Sequence, residues 1–127
     1  MVPQPIREGF QSVVPVLSVQ GARSLVEFLC AGLGATQTFE STSGTHFEVR
    51  IGESMVMIGD VGNGAPVTAQ LFMYVADADA SYKRALQAGA TSIMEPSPRP
   101  WGEGEEILLG AGVKDPSGNL WFFAGPQ

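Results

Sequence analysis

The chain has 127 residues, 44% hydrophobic and 16% charged, which suits a single globular domain over 1–127 and excludes a disordered chain. Its net charge of -6, with only seven scattered basic residues, excludes a nucleic-acid surface, because neutralising phosphates takes clustered Lys and Arg. No apolar run approaches the roughly 20 residues that cross a bilayer, so no membrane partner is expected.

In chain order, the first ten residues carry no apolar core of signal-peptide length, and a cytoplasmic location is expected. The single Cys30 excludes an internal disulfide and fits a reducing compartment. It lies among Val26, Phe28, Leu29 and Leu33, so it reads as a buried thiol, with no local base or cation to activate it. VPVLSV at 14–19 is a β-branched run that predicts a strand. A helix follows, with Leu25, Phe28, Leu29 and Gly32 at helical spacing and no comparable N-cap. Residues 35–40 predict a short strand, and HFEVRI at 46–51 alternates as a half-buried strand does. Gly52-Glu53 predicts a two-residue turn returning through MVMI at 55–58.

After a Gly/Pro-bearing linker at 61–68 the order repeats. QLFMYV at 70–75 is the strand; Tyr82, Ala85, Leu86 and Gly89 mark the helix, with Asp77 as N-cap, Asp79 in the first turn and Gly89 as the C′ residue. A short strand is predicted at 91–95, an irregular loop at 96–104 (PSPRPWGEG), and a strand over 105–114. DPSGN at 115–119 predicts a type I turn with a left-handed exit, and LWFF at 120–123 closes the hairpin. The organisation is βαβββ twice, over about 12–60 and 69–124. Each half alone is marginal in size. The fold class is α+β, with two βαβββ repeats forming a concave mixed-sheet cleft and helices on the outer face.

Three stretches carry a resemblance: VLSV at 16–19 with GLGA at 32–35, VADADA at 75–80 with AGA at 88–90, and DPSGN at 115–119. With HFEVRIG at 46–52, MVMI at 55–58 and Trp101-Gly102, they resemble the vicinal oxygen chelate superfamily of glyoxalases, bleomycin-resistance proteins and extradiol dioxygenases, in its glyoxalase-like branch. The resemblance implies a cleft in which catalytic relatives hold a divalent metal with His, Glu or Gln. Matched strand by strand, those positions fall on Val14, Met57, Gln70 and Phe122, of which only Gln70 offers a donor. The expectation is therefore no metal and no cofactor. The resemblance also implies a homodimer, with or without exchange of repeats. Uncovered sheet edges and an apolar rim point the same way.

Residues two apart on a strand share a face. Val14, Val16, Ser18, Gln70, Phe72, Tyr74, Met55, Met57, Leu120 and Phe122 then face the cleft, with Leu17, Val19, Leu71, Met73, Val75, Trp121 and Phe123 under the helices. Cross-strand pairing through the Gly52-Glu53 turn adds His46, Glu48 and Arg50. The ligand-binding candidates are Ser18, His46, Glu48, Arg50, Met57, Gln70, Phe72, Tyr74, Trp101 and Phe122. Bland readings stand beside them. His46, Glu48 and Arg50 also fit a solvated strand face with weak ion pairs, and Trp101 fits packing on the sheet rim. A metal displaced onto His46 and Glu48 has two ligands where three or four are usual. One histidine supports no Ser–His–Asp or Cys–His set, and the Gly102–Gly104 and Gly110–Gly112 pairs are not phosphate loops. The acidity reads as a solubility feature, or as suited to a cationic ligand.

The expected function is metal-independent small-molecule binding by sequestration. The alternative is a lyase, isomerase or dioxygenase-like enzyme using Glu48 and His46, with burial raising the Glu48 pKa.

Overall fold

A computed structural model describes residues 6–127; the part of the amino-terminal reading that concerns 1–5 lies outside them. The order is β1 (Val16–Val19), α1 (Ala22–Leu33), β2 (Thr36–Glu40), β3 (His46–Ile51), β4 (Ser54–Asp60), then β5 (Gln70–Tyr74), α2 (Ala78–Gln87), β6 (Thr91–Arg99), β7 (Leu108–Lys114) and β8 (Leu120–Gly125). The strands form two four-stranded sheets, ordered β1-β4-β3-β2 and β5-β8-β7-β6. In each, the first strand runs parallel to the last and the remaining pairs are antiparallel. This is the expected βαβββ motif, twice.

Side-chain alternation decides which face each helix covers. Leu17, Val19, Phe47, Val49 and Ile58 of the first sheet, and Ala111, Val113, Trp121 and Phe123 of the second, are buried in one apolar cluster with the helices. Each large side chain removed from water this way contributes about 1.5–3 kcal/mol. Cys30 packs, half-buried, against the same cluster. The two repeats meet through their helices. Gly32 of α1 allows this approach, since a Cβ there would stand 3.0 Å from the Ala88 methyl, and Arg84 Nε donates to the Ala31 carbonyl at 2.9 Å. Among the described residues no strand of one sheet comes within 8 Å, Cα to Cα, of a strand of the other.

The helix ends follow the sequence on one side and depart from it on the other. Asp77 accepts from the Ala80 N–H at 3.0 Å, and Gly89 takes φ +114° just beyond α2. At α1 the missing local cap is supplied from afar. Asp60, closing β4, accepts from Ala22 N–H at 2.9 Å with one oxygen and from Gly62 N–H at 2.7 Å with the other. Those bonds, Ala22 first, lower its pKa.

Two expectations are corrected between residues 96 and 107. The stretch read as loop from Pro96 is strand as far as Arg99, and the stretch read as strand from Glu105 opens with a 3-10 turn at Glu103–Glu105 before β7 starts at Leu108. Density of proline misled the reading. β6 is an outer strand, where proline's missing N–H costs no ladder bond, and its pairing with β7 shifts register between Ser92 and Met94 and between Met94 and Ser97. The 115–119 turn is as expected, with Gly118 at φ +96°. Asp115, buried, accepts from the N–H groups of Ser117 and Asn119 and from the Trp121 indole, each at 2.9 Å.

Candidate ligand-binding faces

Each sheet has one face under its helix and one open face. The hairpin register is as expected, with Ile51 opposite Ser54, Arg50 opposite Met55 and Glu48 opposite Met57. His46, Glu48, Arg50 and Met57 therefore share the open face of the first sheet, with Ser18 two positions beyond Val16 on β1. Gln70, Phe72, Tyr74 and Phe122 share the open face of the second. The predicted residues form two groups on two sheets, which the chain does not bring together.

On the second sheet the aromatic residues converge. Phe72 lies 5.1 Å from Tyr74 and 5.6 Å from Trp101, centroid to centroid, and Trp101 lies 6.2 Å from Phe122, all edge to face. Glycines at alternate positions of β7 make room for them. A Cβ on Gly110 would stand 2.6 Å from the Trp101 ring, and one on Gly112 2.9 Å from the Phe122 ring. Trp101 is thus seated on the sheet. The alternation of Gly110 and Gly112 across Ala111 was the available signal, because strand glycine marks close approach. Arg99, also unanticipated, sends its Cγ to within 2.8 Å of the same Cβ position on Gly110.

On the first sheet the open face is partly covered by the amino-terminal segment. Arg7 donates to both oxygens of Glu48, at 2.9 and 3.1 Å, and its guanidinium lies 4.3 Å over the Phe10 ring. The Gln11 side chain continues the ladder beyond β1, donating to Met55 C=O at 2.8 Å and accepting from its N–H at 3.1 Å. Glu48 and Met55 are consequently buried although they lie on the open face. His46 Nε2 sits 3.1 Å from Glu48 Oε2 and its ring 6.1 Å from Phe39. No local pattern pairs Arg7 with a residue 41 positions away, so sequence reading missed it.

The Arg7 guanidinium holds the Glu48 carboxyl below its ordinary pKa; burial opposes this and His46 adds to it. The expectation that burial raises the Glu48 pKa is therefore corrected. The bidentate bond from the exposed Arg7 guanidinium outweighs the desolvation of the buried carboxylate.

The positions matched to a metal site do not fit one. Val14 is a half-buried hydrocarbon, Met57 offers a thioether, Phe122 faces Phe72 and Gly112, and Gln70 stands opposite Leu120 on the other sheet from Met57. Among the described residues no group of three or more His, Cys, Asp or Glu could hold a metal ion. His46 and Glu48 are the nearest approach, and both Glu48 oxygens already accept from Arg7.

A groove of about 560 Å³ lies elsewhere. It runs between the β3–β4 turn and β5, walled by Pro15, Ile51, Val56, Leu71, Met73 and Trp121, and of the predicted residues it takes only Phe72 and Tyr74. A second hollow of about 430 Å³ joins Tyr74 to the turn at Gly102–Glu106 and the end of β8.

Twin βαβββ modules with paired helices, each sheet having one face under its helix and one open, define an α+β fold of the vicinal oxygen chelate type. Residues 11–123 match the family model of the Glyoxalase/Bleomycin resistance protein/Dioxygenase superfamily, and the chain belongs to that superfamily. Among solved structures it is similar to TioX from Micromonospora sp. ML1, at 23% identity and TM-score 0.77 over 92% of this chain and 99% of that one. A glyoxalase-related enzyme from Fulvimarina pelagi matches at 18% identity and TM-score 0.72, covering 91% and 87%. UcmS2 matches at 21% and 0.70, covering 87% and 94%. These likenesses show a shared fold. No curated protein matches the chain in sequence. No helix among the described residues is long and apolar enough to cross a membrane.

Proposed function

We propose that this chain is a metal-independent binding protein that sequesters a small molecule against the aromatic face of its second sheet. The convergence of Phe72, Tyr74, Trp101 and Phe122 over two glycines carries the reading. Phe72 and Tyr74 are 46% and 76% exposed, which is costly for an aromatic pair that nothing covers. An apolar wall with a few polar groups is how small-molecule sites are built. Gln70, Ser18, Met57, His46, Glu48 and Arg50 would line the remainder, once the two faces are opposed.

That opposition calls for a second copy. Among the described residues no strand of one sheet comes within 8 Å, Cα to Cα, of a strand of the other, β5 has no strand on its outer edge, and Val13 and Val16 stand exposed at the start of β1. A two-fold homodimer that sets the first sheet of one copy against the second sheet of the other covers both faces and makes two equivalent clefts. A cytoplasmic location remains part of the proposal.

The test is a thermal-shift screen of small aromatic, cationic and thiol-conjugate compounds, run with and without chelator. A ligand at about 100 times its dissociation constant adds roughly 2.7 kcal/mol of stability, and chelator leaves that gain in place. Binding that disappears on chelation, or persists unchanged in Trp101→Ala and Phe122→Ala, overturns the reading.

The His46–Glu48 pair, 3.1 Å apart and partly buried, supports a second reading as an enzyme. Glu48→Gln separates the two once a ligand is known: loss of turnover with binding kept favours the enzyme, and loss of binding alone favours sequestration.

A further inference from the structure

We infer that Arg99 makes the aromatic face of the second sheet a receptor for planar aromatic anions, an aryl carboxylate being the simplest. The inference deepens the small-molecule reading and rests on it. It begins with the basic residues, since each has to put its charge somewhere. Arg7 pairs with Glu48, Arg23 with Glu40 and Lys83 with Asp79, while Arg84 donates to the Ala31 carbonyl. Arg50, Arg99 and Lys114 have no carboxylate within salt-bridge distance among the described residues. Of these three, Arg50 and Lys114 are exposed and Arg99 is half-buried.

Its position follows from the ladder. Ser97 lies opposite Gly110 and Arg99 opposite Leu108, and Gly110 turns its open side to Trp101. Arg99 therefore projects from the same face as the rings. Its stem and the indole rest on one glycine, 2.8 and 2.6 Å from the Cβ that a larger residue would carry. Arg99 Nε donates to Ser97 Oγ, two residues back on the same strand, at 3.1 Å, which restrains the side chain on this face and leaves both terminal nitrogens with donors to spare among the described residues. A guanidinium is a bidentate receptor for a planar carboxylate, and here it is carried by a half-buried residue that borders a wall of aromatic edges. One planar anion satisfies both at once, its ring against Trp101, Phe72 and Phe122 and its carboxylate on Arg99.

The glutamates at 103, 105 and 106 favour a cation, but they are exposed on the surface turn, where water and salt screen them. Glu106 also folds back on its own turn, with Oε1 2.8 Å from the Cβ position of Gly102. Lys114, opposite Leu120, shares this face by parity but is exposed and lies beyond Gly112, so Arg99 is the cation that shares the Gly110 seat with the indole.

Calorimetric titration of the full chain with three isosteric probes, 2-naphthoate, 2-naphthamide and 2-naphthylmethylammonium, tests this. The expected order is naphthoate first, at least about tenfold tighter than naphthamide, with the ammonium weakest. Arg99→Gln should bring the naphthoate-to-naphthamide ratio to within about threefold, and Arg99→Lys should keep part of it, as a point charge without the fork does. Lys114→Gln removes the same net charge and should keep the wild-type ratio. Equal binding of naphthoate and naphthamide, tightest binding of the ammonium, or an equal effect of Lys114→Gln and Arg99→Gln overturns the role of Arg99 while leaving small-molecule binding standing. Absence of binding by all three at millimolar concentration overturns the anion receptor itself, and the broader thermal-shift screen then judges sequestration separately.

Discussion

The Arg7 guanidinium grips both carboxylate oxygens of Glu48, at 2.9 and 3.1 Å, and so ties the amino-terminal segment across the open face of the first sheet. Glu48 has its folded-state pKa lowered from an ordinary value of 4.5, chiefly by that bond. A lowered carboxyl pKa contributes stability that is present above the unfolded value and is lost as pH falls through the folded one. Arg7→Gln should therefore be less stable than wild type at pH 7, and the difference should shrink as pH drops below about 4.5. Urea unfolding from pH 7 to pH 3 measures it. A difference that is constant over that range would mean the pair does not set the Glu48 pKa.

Gly110→Ala puts a methyl 2.6 Å from the Trp101 ring. The indole must swing off the sheet, since strand backbone yields less readily than a side chain. Overpacking of this kind costs about 1–3 kcal/mol, and a movable ring places it toward the lower end. Trp101 emission should shift to the red as the ring meets water, and any ligand of the aromatic face should bind more weakly. Unchanged emission would show that Trp101 does not rest on Gly110.

Trp121→Phe keeps most of the buried ring but removes the indole donor to Asp115, 2.9 Å away. Asp115 is itself buried and retains only the partners within its own turn. Loss of a hydrogen bond to a charged group costs about 1.5–3 kcal/mol, to be read from chemical denaturation. A cost below about 0.5 kcal/mol would indicate that water replaces the indole.

Sedimentation equilibrium at micromolar concentration should give twice the chain mass of 13.4 kDa. Tyr74→Asp, placing a charge on an exposed open-face position beside the free β5 edge, should shift the protein toward the monomer without unfolding it. Wild type sedimenting as a single 13.4 kDa species would refute the dimer and leave both open faces to solvent.

How much of this was legible in advance depends on the range of the interaction. The strands, the helices, the Gly52-Glu53 register and the Asp77 cap follow from patterns a few residues long, and alternation alone divided open-face from core positions on β1, β3, β5 and β8. Repetition of that pattern, with the order and spacing of VLSV, GLGA, HFEVRIG, VADADA and DPSGN, placed the chain in its superfamily. The edge prolines of β6 went unread because proline forbids a central strand, and only sheet order shows β6 to be outermost. Three further features were decided by tertiary structure: the Asp60 cap on α1, the Arg7 clasp on Glu48, and the seating of Trp101 and Arg99 on Gly110. The first two join groups 38 and 41 residues apart, and the third depends on two strands pairing out of simple register. Sequence determined which side chains each sheet would offer on its open face, because strand parity is local. Which partners those side chains met, and hence the lowered pKa of Glu48 and the place of the Arg99 guanidinium beside the rings, was decided by the packing of distant segments, because electrostatics and close contact act through space and not along the chain.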